Sequence, residues 1–205
     1  MITMSMGENK LINHMIKLQT NPPPNFKAME VVYARYTLAA MGKKLRFWAE
    51  QSGVFQGGTL DDLLAQRCGP TPTDVVTVPK VANGGGAGGR PITDRDVLVD
   101  MPCFLVMELS PDWDWQFRTQ DVGVTSKEDY NDDNCDLWHI NPDGARSRRT
   151  PNGNDCRLVV FSAVRRQAQE RQKFNLHIEV VQSPNDSVEI IIDPDVPNNG
   201  GTFEP

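Results

Sequence analysis

Three stretches near the C-terminal end constrain the fold most: "CRLVVFSAVRR", "KFNLHIEVVQ" and "SVEIIID". In the second, Phe174, Leu176, Ile178 and Val180 alternate with Asn175, His177 and Glu179. Successive side chains of an extended strand point to opposite faces, so this pattern predicts one dry face and one wet face. With polar turns between them, the three stretches predict a C-terminal meander.

Shorter signals upstream agree. "DVVTVPKV" alternates from Val75 to Val81, and "WDWQF" puts Trp113, Trp115 and Phe117 on one face. "DVLVDMPCFLVMEL" holds a long apolar run in which Pro102 predicts a bend or an edge position. "MEVVYARYTLAA" fits both a helix and a strand. Its two valines, two tyrosines and one threonine favour a strand, with "MGKK" as a turn and "LRFWAEQ" as the return. In "TLDDLLAQR", Thr59 stands where a helix cap belongs and acids follow in the first turn, which predicts one or two helical turns. Leu11, Ile12, Met15 and Ile16 predict a short amphipathic helix ended by "NPPPN".

The expected fold is therefore mainly β: an antiparallel β-sandwich, jelly-roll-like, with a short N-terminal helix and one small internal helix. Residues 1–25 are read as a helical arm and proline-rich linker, 26–193 as the sandwich, and 194–205 ("PDVPNNGGTFEP") as an irregular tail. The expected core is Phe104, Val106, Trp115, Val159, Phe161, Leu176, Ile178, Val180, Ile190 and Ile192. The 205 residues suffice for one such domain, and their 15 prolines and 16 glycines supply its turns.

No stretch approaches eighteen apolar residues, and "MITMSMGENKLINHMIKLQ" lacks the basic-then-apolar order of a secretory leader. A cytoplasmic protein with free thiols at Cys68, Cys103, Cys135 and Cys156 is the expectation, and no membrane partner.

The most polar segment is "KEDYNDDNCDLWHINPDG" (Lys127–Gly144). An EF-hand beginning at Asp129 fails, because Asn134 replaces the glycine at position 6 and Ile140 the glutamate at position 12. A calcium site assembled from several loops is the remaining metal alternative, with Asp112, Asp114, Asp129, Asp132, Asp133 and Asp136 as ligands. Against it, aspartates favour turns by bonding their own backbone. Zinc is disfavoured, since Cys135, His139 and the distant Cys156 do not make two close ligand pairs. No nucleophile elbow is present, and the acids fall in turns instead of lining a strand face, so a hydrolase ranks last. The glycine run at 84–89 lacks the Lys-Ser or Lys-Thr of a phosphate loop.

The net charge of −6 is unevenly spread. Asp94–Asp136 holds twelve acids against three bases, and Asp143–Lys173 eight bases against three acids. Pairing within one subunit, pairing between copies, and anion binding by Arg146, Arg148, Arg149, Arg165 and Arg166 follow in that order. The overall acidity argues against nucleic acid as a partner. The function expected from these residues is a non-enzymatic β-sandwich binding or self-assembly module, its partner being another copy of itself. A calcium-dependent, lectin- or C2-like domain is the first alternative. An anion- or nucleic-acid-binding module using the arginines of 146–173 is the second. No organic cofactor and no catalytic residue is assigned.

Overall fold

The computed structural model describes residues 30–41, 44–80, 95–99, 103–118, 123–126, 138–147, 156–163, 171–183, 186–192 and 195–197. The expected N-terminal helix lies outside them. Within them the chain is mainly β, with two sheets and one helix.

The first sheet has seven strands. These are β1 (Glu30–Met41), β2 (Lys44–Phe55), β3 (Thr77–Val78), β4 (Cys103–Leu109), β7 (Trp138–Ile140), β8 (Arg146–Ser147) and β9 (Leu158–Ala163). They lie in the order β3-β2-β1-β4-β9-β7-β8. The second sheet is built on β10 (Arg171–Ser183). β11 (Asp186–Ile192) and β12 (Asp195–Pro197) both pair with it antiparallel. β5 (Trp115–Phe117) and β6 (Val124–Ser126) pair with β10 as well.

The sheets pack face to face in a sandwich-like arrangement. Val32, Ala34, Tyr36 and Leu38 of β1 and Leu105, Met107 and Leu109 of β4 meet Trp115, Phe117, Leu176 and Ile178 of the second sheet in one core. Tyr36 stacks on Phe47 with centroids 4.8 Å apart, and Phe47 meets Trp115 edge-on at 6.1 Å. The indole N–H of Trp115 donates to the Ser110 carbonyl at 2.6 Å, satisfying a polar atom that burial would otherwise strand.

A second core lies on the other face of the seven-stranded sheet. There Val31, Tyr33, Val106, Ile140, Leu158 and Val160 pack with Leu63 and Leu64 of α1 (Leu60–Arg67). The sheet is thus covered on both sides, which is why most of the described residues of β1 and β4 are buried.

Three expectations are corrected in detail. First, β1 and β4 run parallel, Glu30 opposite Cys103 and Tyr36 opposite Leu109, so the sheet is not wholly antiparallel. Parallel neighbours require a long crossover, and residues 42–102, including α1, provide it. Second, β4 sits between β1 and β9, not at a sheet edge, and the alternative of a bend at Pro102 lies outside the described residues. Third, β9 pairs with β4 and β7, so the C-terminal meander is only the β10–β11 hairpin. Residues 195–197 of the expected irregular tail pair with β10. Of the expected core, Phe104, Val180 and Ile190 are half-buried, and the other seven residues are buried. Phe104 and Val106 face the helix, on the opposite side of the sheet from Trp115.

Candidate functional site

Local chemistry fixes α1. The Thr59 hydroxyl accepts from the Asp62 amide at 3.3 Å, and the Asp62 carboxylate accepts from the Thr59 amide at 2.7 Å. This reciprocal capping box closes two otherwise orphaned donors, and the Thr59 bonds hold the Asp62 carboxyl below the usual range. At the other end, Gly69 and Gly144 both adopt the left-handed backbone that favours glycine. The Gly69 amide donates to the Pro142 carbonyl at 2.9 Å, so the β7–β8 turn abuts the end of the helix.

Under α1 the sheet carries a polar row. The register sets Gln51 (β2), Arg35 (β1), Glu108 (β4), Leu158 (β9), Ile140 (β7) and Arg146 (β8) side by side. Neighbours in one row point to the same face, and here that face is the one α1 covers.

Glu108 is the centre of this row and is buried. Arg67, the last residue of α1, donates Nε to Glu108 Oε2 at 2.8 Å and Nη2 to Oε1 at 2.5 Å. Tyr33 donates its hydroxyl to the same Oε2 at 2.7 Å. The remaining arm of Arg67 donates to the Thr73 carbonyl at 2.8 Å. Bidentate guanidinium–carboxylate pairs are among the strong hydrogen bonds, and three donors engage both oxygens of Glu108. Burial and then Glu108 push the Tyr33 hydroxyl above its usual range. The bonds to Glu108 push Arg67 further up. Burial, followed by the Glu108 charge, also raises the Cys68 thiol, so it is not poised as a nucleophile. Arg35 pairs with Glu50 at 2.5 Å, and Arg146 pairs with Asp61 of α1.

The residues singled out from the sequence fare differently. Asp112 accepts from the Ser110 hydroxyl at 2.8 Å, inside a turn, and Asp114 is exposed in the same turn. Asp129, Asp132, Asp133 and Asp136 lie outside the described residues, as do Arg148, Arg149, Arg165 and Arg166. Among the described residues no three of His, Cys, Asp and Glu are grouped to hold a metal. Arg146 is in place on the helix-covered face. Neither Glu108 nor Arg146 finds its partner in the opposite charge block: Arg67 and Asp61 both come from α1. His139 is buried and its Nε2 accepts from the Gly123 amide at 3.0 Å, a structural bond. Glu108 is not among the acids the sequence singles out, which lie in turn-rich segments. The available signal was one charge inside the apolar run "CFLVMEL", where an unpaired acid would not be tolerated.

The described residues define a β-rich protein with one helix clamped over a polar row of its larger sheet. Residues 59–201, from the cap of α1 past β12, match the profile of a family described as a predicted novel nucleotide synthetase. That span covers more than half of the 205 residues, and the chain belongs to this family. No curated protein and no solved structure matches the chain. The family overturns the expectation of a non-enzymatic binding or self-assembly module. That expectation rested on finding no catalytic motif, but short motifs identify only the enzyme families that carry them.

Proposed function

We propose that the protein is an enzyme that synthesises a nucleotide, with a nucleoside triphosphate as precursor. The observation that carries this reading is the family match over residues 59–201. The row under α1 supports it by ending in an exposed guanidinium that fits a phosphate group. Arg146 lies on the helix-covered face at the β8 end of the sheet, where among the described residues it forms a solvent-exposed pair with Asp61. Guanidinium forks match phosphate oxygens, and an exposed ion pair is cheap to exchange for a phosphate. Glu108 and Arg67 act here as positioning residues, fixing α1 on the sheet.

The test is product formation. The full-length protein is incubated with the magnesium salts of ATP, GTP, CTP and UTP, singly and in pairs, and the products are separated and weighed by mass spectrometry. A new nucleotide species that requires the protein is the expected result. Unchanged substrates under every combination would refute the reading.

A further inference from the structure

The helix-covered face extends past α1 toward the tip of the β1–β2 hairpin. β4 ends at Leu109 opposite Tyr36, and the next paired rows are Thr37 with Trp48 and Ala39 with Arg46. Counting by two from Tyr33 and Arg35 puts Thr37 and Ala39, and hence Trp48 and Arg46, on the same face as the polar row. Beyond Tyr36, β1 pairs with β2 alone among the described residues.

Trp48 is half-buried on this ledge, and the exposed Arg46 holds its guanidinium carbon 5.1 Å from the indole centroid. The pair Arg35–Glu50 borders it, with side chains 24% and 27% exposed, so both reach solvent. A flat aromatic surface, two guanidinium groups and a carboxylate are thus concentrated on one hairpin. Each matches one part of a nucleotide. The indole offers a stacking face for a base, and the strength of stacking grows with ring area, which favours a purine. Arg46 and Arg35 offer forks for phosphate. Glu50 offers an acceptor for an amino or imino N–H on the base edge.

We propose that Trp48, with Arg46, Arg35 and Glu50, forms a purine-nucleotide subsite outside the family-matched segment. The base stacks on Trp48, and the exposed Arg46 beside it meets the phosphates. The choice of ligand rests on the nucleotide-synthesising reading; the geometry of the ledge does not.

The experiment is ATP binding to the full-length protein, by calorimetry and by quenching of tryptophan fluorescence, with inorganic tripolyphosphate as the base-free control. Trp48→Ala should weaken ATP binding about tenfold or more, and Trp48→Phe should retain most of it, because one stacked base is worth about that factor. Arg46→Ala should weaken both ATP and tripolyphosphate, whereas Trp48→Ala should leave tripolyphosphate unchanged. Melting curves identify any variant that fails to fold, and Trp48→Phe and Arg46→Ala then decide the question. ATP binding equal to wild type in Trp48→Ala and Arg46→Ala would overturn the subsite, as would wild-type protein that binds no ATP at millimolar concentration. If the variants lose ATP while the wild type makes no product, the subsite stands and the synthetase reading fails. If product forms and the variants bind normally, the reverse holds.

Discussion

Removing the Glu108 carboxylate should cost this protein a large part of its stability. The side chains of Arg67 and Glu108 are only 7% and 8% exposed, so neither charge is screened by water. Glu108→Ala would leave, among the described residues, a buried guanidinium with one carbonyl partner and the Tyr33 hydroxyl with none. Stranding one member of a buried pair costs about 3–5 kcal/mol, against a total of roughly 5–15 kcal/mol for a typical domain. For a chain of this length about 1 kcal/mol moves the melting point by about 2–4 °C, so a fall of roughly 6–20 °C is expected. Arg67→Met should cost a similar amount, since it strands the carboxylate. The double variant Glu108→Leu with Arg67→Met removes both charges and fills the space, and should cost much less than the sum. Urea unfolding followed by tryptophan fluorescence measures this. The midpoint should shift at constant slope, and the cycle should show a coupling of at least about 2 kcal/mol. Single costs that add to within about 0.5 kcal/mol would refute the clamp, since independent sites behave that way.

Tyr33 and the fully buried Tyr36 are both held protonated, chiefly by burial, above the ordinary tyrosine range. Their folded-state values are raised, so their contribution is intact below about pH 10 and is lost as pH rises further, by up to about 1.4 kcal/mol per unit each. Tyr36→Phe should therefore flatten alkaline denaturation measured by circular dichroism, and an unchanged slope would contradict this. A fragment of residues 59–205 keeps the family-matched segment but loses β1 and β2, which exposes the β1-facing edge of β4. It should be rapidly digested in limited proteolysis, whereas a resistant fragment would show that the hairpin is dispensable. Cys68 should alkylate slowly at neutral pH and faster as pH rises, because its thiol is held up by burial and Glu108. Mass mapping after iodoacetamide treatment reads this, and rapid modification at pH 7 would count against the Glu108 environment described.

The β character of the chain was legible in its sequence because strand periodicity is local. Alternation in "KFNLHIEVVQ" gave β10 and its inward Leu176 and Ile178. Thr59 and the acids after it gave α1, because a capping box spans four residues. Pairing was not legible. β9 alternates as a meander strand would, and only the core decides that it pairs with β4 instead of β10. Likewise, "CFLVMEL" reads as one apolar run because β4 is buried on both faces, a condition that only the covering helix and second sheet impose. Glu108 shows the same limit at the site. Its partners Tyr33 and Arg67 lie 75 and 41 residues away in sequence, so no local pattern marks the cluster. The Trp48–Arg46 pair is two residues apart and could be read from the chain as a same-face strand pair. That it shares a face with Glu108 follows only from the parallel register of β1 and β4, because a slip of one residue would turn every side chain of β4 to the opposite side.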